Sequence, residues 1–151
     1  MTPFTTATEV AAEIERRVGA ITIANGFNTD IGARVFRGKR RIDDSAIPCS
    51  TITEGNDNPT SRAGRLPLVT IDQDYIVGGY VQCDPDHPND AAHLVLKDIK
   101  RALFADGGTW GSITRIVNYK GRDIGPRSDG GNFVFAIVEF SVSYVEDLSK
   151  P

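Results

Sequence analysis

Cysteine and histidine are scarce in this chain: two of each in 151 residues. Small secreted domains usually compensate for a thin core with a dense, even set of cysteines. Cys49 and Cys83 do not make such a set, and both read as free thiols in a reducing compartment. His87 and His93 lie in one local segment, which leaves little for imidazole acid–base chemistry. No Ser-His-Asp, G-x-S-x-G or Cys-His-Asn pattern is present, so the usual arrangements for nucleophilic catalysis are missing. No stretch approaches the ~20 consecutive apolar residues of a membrane span. Met1 to Thr8 has neither the basic start nor the apolar run of a signal peptide. The chain therefore reads as soluble and as staying where it is made. No repeat, low-complexity tract or linker divides it, and residues 1–151 read as one domain.

An excess of positive charge is also missing. The formal net charge is −3, which counts against a general nucleic-acid binder, because phosphate contacts call for clustered Lys and Arg. Hydrophobic residues make up 40% and charged residues 25%, close to a globular average, so a domain of this length buries a core without staples.

The first element predicted is a helix over Thr6–Ala20. Thr6 and Glu9 have capping-box spacing, and Val10, Ile14, Val18 and Ile21 form an apolar stripe. Ile31–Phe36 and Ile47–Thr53 read as strands. Glu54–Arg65 has no aliphatic residue and reads as a long polar loop, of a kind that is often functional. Leu66–Cys83 is β-rich. Asp72-Gln73-Asp74 is compatible with a turn or a continuous strand, and Gly78-Gly79 suggests a bulge or bend. A second helix, capped by Asn89 or Asp90, runs to Ala105, with Ala92, Leu96, Ile99 and Leu103 inward. Ile113–Tyr119 and Phe133–Val145 are two further strands, joined by the loop Lys120–Asn132. In the last strand, Phe133, Phe135 and Ile137 give way to Glu139, Ser141 and Ser143 on one face. That pattern predicts an end buried on both faces and an end buried on one. The expected fold is α+β: a mainly antiparallel sheet with two helices packed on one face, in the order α-β-β-β-α-β-β.

Candidates for chemistry are weak. Cys83, Asp84, Asp86, His87, Asp90 and His93 are close in sequence, but they lack C-x-x-C or paired i,i+4 histidine spacing, and a solvated, Pro-rich helix start with an acidic first turn explains them better than a metal does. Asp43-Asp44 and Asp72-x-Asp74 are the carboxylate pairs available for acid–base work, and nothing around them suggests a pocket. Gly107-Gly108-x-x-Gly111 and Ser128–Asn132 do not match a phosphate-cradling loop. Arg37, Lys39, Arg40 and Arg41 form a basic cluster that suits either an acidic partner or plain solvent. Neither a catalytic residue, nor a metal, nor a cofactor is expected.

Several stretches in order carry a resemblance: Ile23-Ala24-Asn25-Gly26-Phe27-Asn28-Thr29-Asp30-Ile31-Gly32, then Val35-Phe36-Arg37-Gly38, then Pro48 with Ile52-Thr53-Glu54-Gly55. Tyr75-Ile76-Val77-Gly78-Gly79-Tyr80 follows, then Leu96 to Leu103, and last Glu139-Phe140-Ser141-Val142-Ser143-Tyr144. Through these the chain resembles the tail terminator, or tail-completion, proteins of long-tailed bacteriophages, the group that includes the minor tail protein U of lambda-like phages. The resemblance implies a structural virion protein made in the host bacterial cytoplasm. It implies a ring, usually hexameric, that caps the tail tube protein at its head-proximal end, stops tube growth and offers its other face to head-completion or neck proteins. DNA would pass through the pore without sequence-specific binding. The residues assigned to such interfaces are Arg37, Lys39, Arg40, Arg41, Asn56, Asp57, Asn58, Arg62, Arg122, Arg127, Phe133 and Phe135. Another neck or head–tail connector subunit is the nearest alternative, and a small DNA-binding module built on Arg37–Arg41 is the alternative from another class.

Overall fold

Thr6 starts α1 (Ala7–Gly19) with both halves of the capping box in place: its hydroxyl accepts from the Glu9 N–H, and the Glu9 carboxylate accepts from the Thr6 N–H. Val10, Ile14, Val18 and Ile21 are fully buried, as their spacing predicts. The computed structural model describes residues 4–38, 41–61, 67–114, 116–125 and 131–151. In that frame the chain continues through β1 (Val35–Arg37), β2 (Cys49–Ser61), β3 (Leu68–Gln82), α2 (Pro88–Phe104), β4 (Ile116–Ile124) and β5 (Phe133–Asp147). The order is α-β-β-β-α-β-β, and the class is α+β. The sheet runs β1-β2-β3-β5-β4. Among the described residues only the β1–β2 pair is parallel.

Both helices lie on one face of the sheet. Odd-numbered β3 residues and even-numbered β5 residues point to them, so Ile71, Tyr75, Val77, Val138, Phe140 and Val142 share a core with Ile14, Val95, Ile99 and Leu103. Trp110 closes the end of this core and donates its indole N–H to the Leu103 carbonyl at 3.0 Å.

Several boundaries differ from the sequence reading. The expected strand over Ile31–Phe36 is a single 3₁₀ turn, Ile31–Ala33, followed by β1. The cause is the close approach of Gly32 to the end of α1: its N–H donates to Ile21 O at 2.8 Å, and a Cβ there would lie 2.5 Å from Val18 O. α2 begins two to three residues earlier than expected, at Pro88, with His87 in place of Asn89 or Asp90 as N-cap and no side-chain cap bond. Proline needs no cap partner at that position, because its φ is already helical and it has no N–H to satisfy. β3 is one continuous strand, which decides the Asp72–Asp74 ambiguity. Gly78 and Gly79 do not bend it. Each lies under a packed side chain: a Cβ on Gly78 would meet Phe135 at 2.4 Å, and one on Gly79 would meet Val95 at 2.7 Å.

The largest departure is at Glu54–Arg65, where the expected loop is an extension of β2 as far as Ser61. β3 supplies a backbone partner there, and ladder hydrogen bonds require no apolar side chain. Residues 62–65 lie outside the described residues. Likewise residues 120–124 of the expected Lys120–Asn132 loop belong to β4. The burial of β5 also runs opposite to expectation. Ser141 and Ser143 are buried, while Phe133, Phe135 and Ile137 are half-buried. Small serines hide between the longer side chains of adjoining strands, whereas no helix is laid over the phenylalanines among the described residues.

One buried charge ties the helices to the connecting segment. Asp98 on α2 is 1% exposed and accepts from the Asn28 and Thr29 backbone N–H groups, the Asn28 amide and the Thr29 hydroxyl, all within 3.1 Å. A carboxylate has two acceptor oxygens for these donors; an amide has one acceptor and presents N–H to the others. Asp98→Asn should therefore cost about 2–3 kcal/mol despite its matched size, measured as a lower urea midpoint at unchanged slope. Gly32→Ala should likewise destabilise by more than 1 kcal/mol (a rough figure) because backbone oxygens cannot yield. Gly19→Ala, which meets nothing within 4 Å, should be neutral or stabilising in the same measurement.

Candidate interaction surface

The strands of this sheet are long: 13 residues in β2 and 15 each in β3 and β5, against a usual ~5–6. Two helices cover one face. Among the described residues nothing with regular structure covers the other. Register defines what this bare face presents. Tyr80 and Phe135 are directly paired and stack with ring centroids 4.2 Å apart. Thr51 and Thr53 of β2 continue the same face, and with Arg37, Gly38, Tyr80 and Phe135 they border a hollow of about 810 Å³. Burial holds the Tyr80 phenol above its ordinary range.

The bare face turns polar along the strands. Asp72, Asp74, Glu139 and Asp123 share it by register. Lys120 reaches across β5 and donates to Asp74 at 2.8 Å, and the Asn58 amide donates to the same carboxylate at 3.1 Å. Both bonds hold the Asp74 carboxyl below its usual range, with Lys120 the larger cause. Sequence reading left Asp72 and Asp74 between a turn and a continuous strand, with nothing around them to suggest a pocket. They are on one side, and Asp74 anchors a bridge between strands.

The sheet also has two unlike edges. β1 pairs with β2 only from Val35↔Ser50 to Arg37↔Ile52, so among the described residues the outer side of β2 is unpaired beyond Ile52. β4 forms the opposite edge. Antiparallel bonding alternates, which tells which residues point outward. Ser50 N–H bonds Arg34 O and Ile52 O bonds Gly38 N–H, both outward from β2. Their β3 partners are odd-numbered, and the next residues paired to odd partners are Glu54, Asp57 and Pro59. Pro59 thus sits where a missing N–H breaks no ladder bond. On β4, Val117 N–H points outward to Gly108 O, and the same parity makes Tyr119, Arg122 and Ile124 outward.

The residues assigned to interfaces fall into separate groups on this frame. Arg37 and Phe135 both border the hollow, but Arg37 is held by Glu15 and Glu54 at 3.2 and 3.3 Å and is not a free cation. Phe133 lies on the same face at the end of β5. Asn56, Asp57 and Asn58 lie at the β2 edge, and Arg122 lies at the β4 edge. Arg41 is exposed next to Asp43 and Asp44. Lys39, Arg40, Arg62 and Arg127 lie outside the described residues. In the segment considered for metal, Asp84 caps its own turn, accepting from Asp86 N–H at 3.0 Å and facing His87 Nδ1 at 3.5 Å. Among the described residues no group of three or more His, Cys, Asp or Glu is placed to hold a metal ion. No described helix is long and apolar enough to cross a membrane.

What sequence reading missed is an acidic corner on the helix side of the β2 edge. Glu54, Asp57 and Glu146 surround the buried phenols of Tyr75 and Tyr144. Burial first, then Glu146, Asp57 and Glu54, pushes Tyr144 up to about 12. Glu146 is itself held above its ordinary 4.5, by burial first and then by Asp57. A raised acid favours its neutral form in the fold. Its stabilising share is complete below 4.5 and is lost as pH rises through the folded value. Glu146→Gln should therefore raise Tm at neutral pH, and the gain should vanish below roughly pH 3.5, where both chains carry a neutral group. Paired thermal scans across pH check this.

Comparison of the sequence with protein-family models and with curated proteins finds no match.

Proposed function

We propose that the chain is a structural subunit of a phage tail: one wedge of a ring, a hexamer on the family pattern, that caps the tail tube, ends its growth and offers a joining surface to the head. The observation that carries this reading is a sheet whose three central strands span 13 to 15 residues and which, among the described residues, packs helices on one side only. An antiparallel sheet can leave one face to solvent, so what supports the reading is the length of these strands and what their uncovered face presents. Here the uncovered side carries a stacked aromatic pair at one end and Asp72, Asp74, Asp123 and Glu139 at the other. Such a face suits contact with other protein subunits, and its acidic portion suits DNA that must pass without binding. The motifs that resemble tail terminators lie on this frame: the Asn28-Thr29 segment is held by Asp98, and Gly78-Gly79 lies between Phe135 and Val95.

On this reading the partners are further copies of the chain, the tail tube protein and a head-completion or neck protein. The protein resides at the head-proximal end of the tail after assembly in the bacterial cytoplasm. No chemistry is required of it, and the carboxylates and histidines keep structural roles.

Purified protein should form closed rings, free or on the ends of isolated tail tubes, in negative-stain electron microscopy with mass determination. A monomer that ignores tubes would remove the proposal, and salt-sensitive DNA binding by that monomer would replace it with the nucleic-acid reading.

A further inference from the structure

The ring reading leaves open which surfaces of neighbouring copies meet, and the two sheet edges answer it. We infer that the β2 edge around Glu54 and Asp57 pairs, antiparallel, with the β4 edge around Tyr119 and Arg122 of the next copy. This inference rests on the ring reading and specifies its joint.

Strand direction supports the pairing first. β2, β3, β5 and β4 alternate in direction across the sheet, so β4 runs opposite to β2. Rotation about an axis parallel to the strands keeps every direction, so neighbours in such a ring meet β2 to β4 as antiparallel partners. The contact is head-to-tail and leaves each copy one donor edge and one acceptor edge, as closure into a ring requires.

Among the described residues, the backbone groups left unpaired on the two edges match next. On β2 the outward residues available are Glu54 and Asp57, bounded on one side by Ile52, which β1 already engages, and on the other by Pro59. On β4 they are Tyr119, Arg122 and Ile124, bounded by Val117, whose N–H is already given to Gly108. Each edge has one bulge between its first two free positions, Glu54/Asp57 on β2 and Tyr119/Gly121 on β4. The outward positions nonetheless keep two-residue spacing, because their partners inside the sheet, Tyr75 and Gln73, Phe140 and Val138, do. Setting Glu54 opposite Arg122 and Asp57 opposite Tyr119 places Pro59 beside Val117. Pro59 has no N–H to offer and Val117 has none left to give, so neither loses a bond it could have made.

Charge agrees with the register. Glu54 and Asp57 point to the helix side of the sheet, by their pairing to Tyr75 and Gln73. Arg122 points to the same side, by its pairing to Val138. One edge is acidic and the other carries the cation at the matching height and face. Opposite charges across a strand pair are favourable and like charges are not, so the register also disfavours β2–β2 and β4–β4 contacts.

The test uses the full chain, free and with isolated tail tubes. Arg122→Glu should weaken subunit association about tenfold or more by mass photometry. The double variant Arg122→Glu with Glu54→Arg should restore rings. A chain carrying both Asp57→Cys and Tyr119→Cys should give a ladder of covalent oligomers under mild oxidation, and either single cysteine should not. Rings that survive Arg122→Glu and give no cross-linked ladder would overturn the edge pairing while leaving the ring standing. A wild-type chain that is monomeric with and without tubes would overturn both. A loss of rings in Arg122→Glu that the double variant fails to repair, with no ladder, would place the joint elsewhere.

Discussion

Fifteen consecutive residues of β3 pair with fifteen of β5, from Leu68↔Asp147 to Gln82↔Phe133, without one shift in register. Everything else hangs on this ladder. A one-residue slip would turn Ile71, Tyr75 and Val77 away from the helices and bring Asp72, Asp74 and Ile76 into the core. The two glycines make that slip harder still. Gly78 admits the Phe135 ring on one face and Gly79 admits Val95 and Ile31 on the other, so each is needed at its own position and on its own side. The strands outside this pair are less regular. β2 carries two register shifts and β4 one, and it is these flanking strands that meet solvent. Regularity is concentrated where both neighbours must be satisfied, and irregularity where only one must.

Much of this was legible in the sequence because it repeats. The helical stripes and the alternation of β5 on its inner face are periodic, and periodic burial is the strongest signal a chain carries. The capping box was legible because its two residues are local. What could not be read was set by partners distant in sequence. Glu54–Ser61 looks like a loop until β3 is laid beside it. Asp98 looks like one more polar residue on a helix until Asn28 and Thr29 fold over it. The reversed burial of β5 has the same origin: Ser141 is hidden by its small size among neighbours, and Phe135 is left half-buried where no described helix covers it.

The interface residues divide by the same rule. Composition picked out a basic cluster at Arg37–Arg41, but the acids that neutralise Arg37 come from α1 and β2. Asp57 and Arg122 were picked out for lying in polar stretches taken as loops. They are strand residues instead, which matters because a strand fixes a side chain to one face at a defined height, and a loop does not. The acidic corner of Glu54, Asp57 and Glu146 could not be assembled from sequence at all, since its members come from strands separated by β3.

Pro59, the bulges, Lys120 and Arg122 are the devices by which a sheet edge is kept from pairing with other chains. Taken alone, such devices keep an edge bare. Their placement argues for something more selective. Pro59 and the Gly108–Val117 bond blunt the ends of the two edges and leave a short window on each. Within the windows the charges are opposite, and outside them pairing lacks donors. An edge blunted in this way still refuses a random strand, and refuses its own kind, because a partner must match both the window and the charge. The features that prevent open-ended aggregation are then the same ones that define a single permitted neighbour, and a chain with one acidic window and one basic window on opposite edges of one sheet has the asymmetry a closed ring is built from.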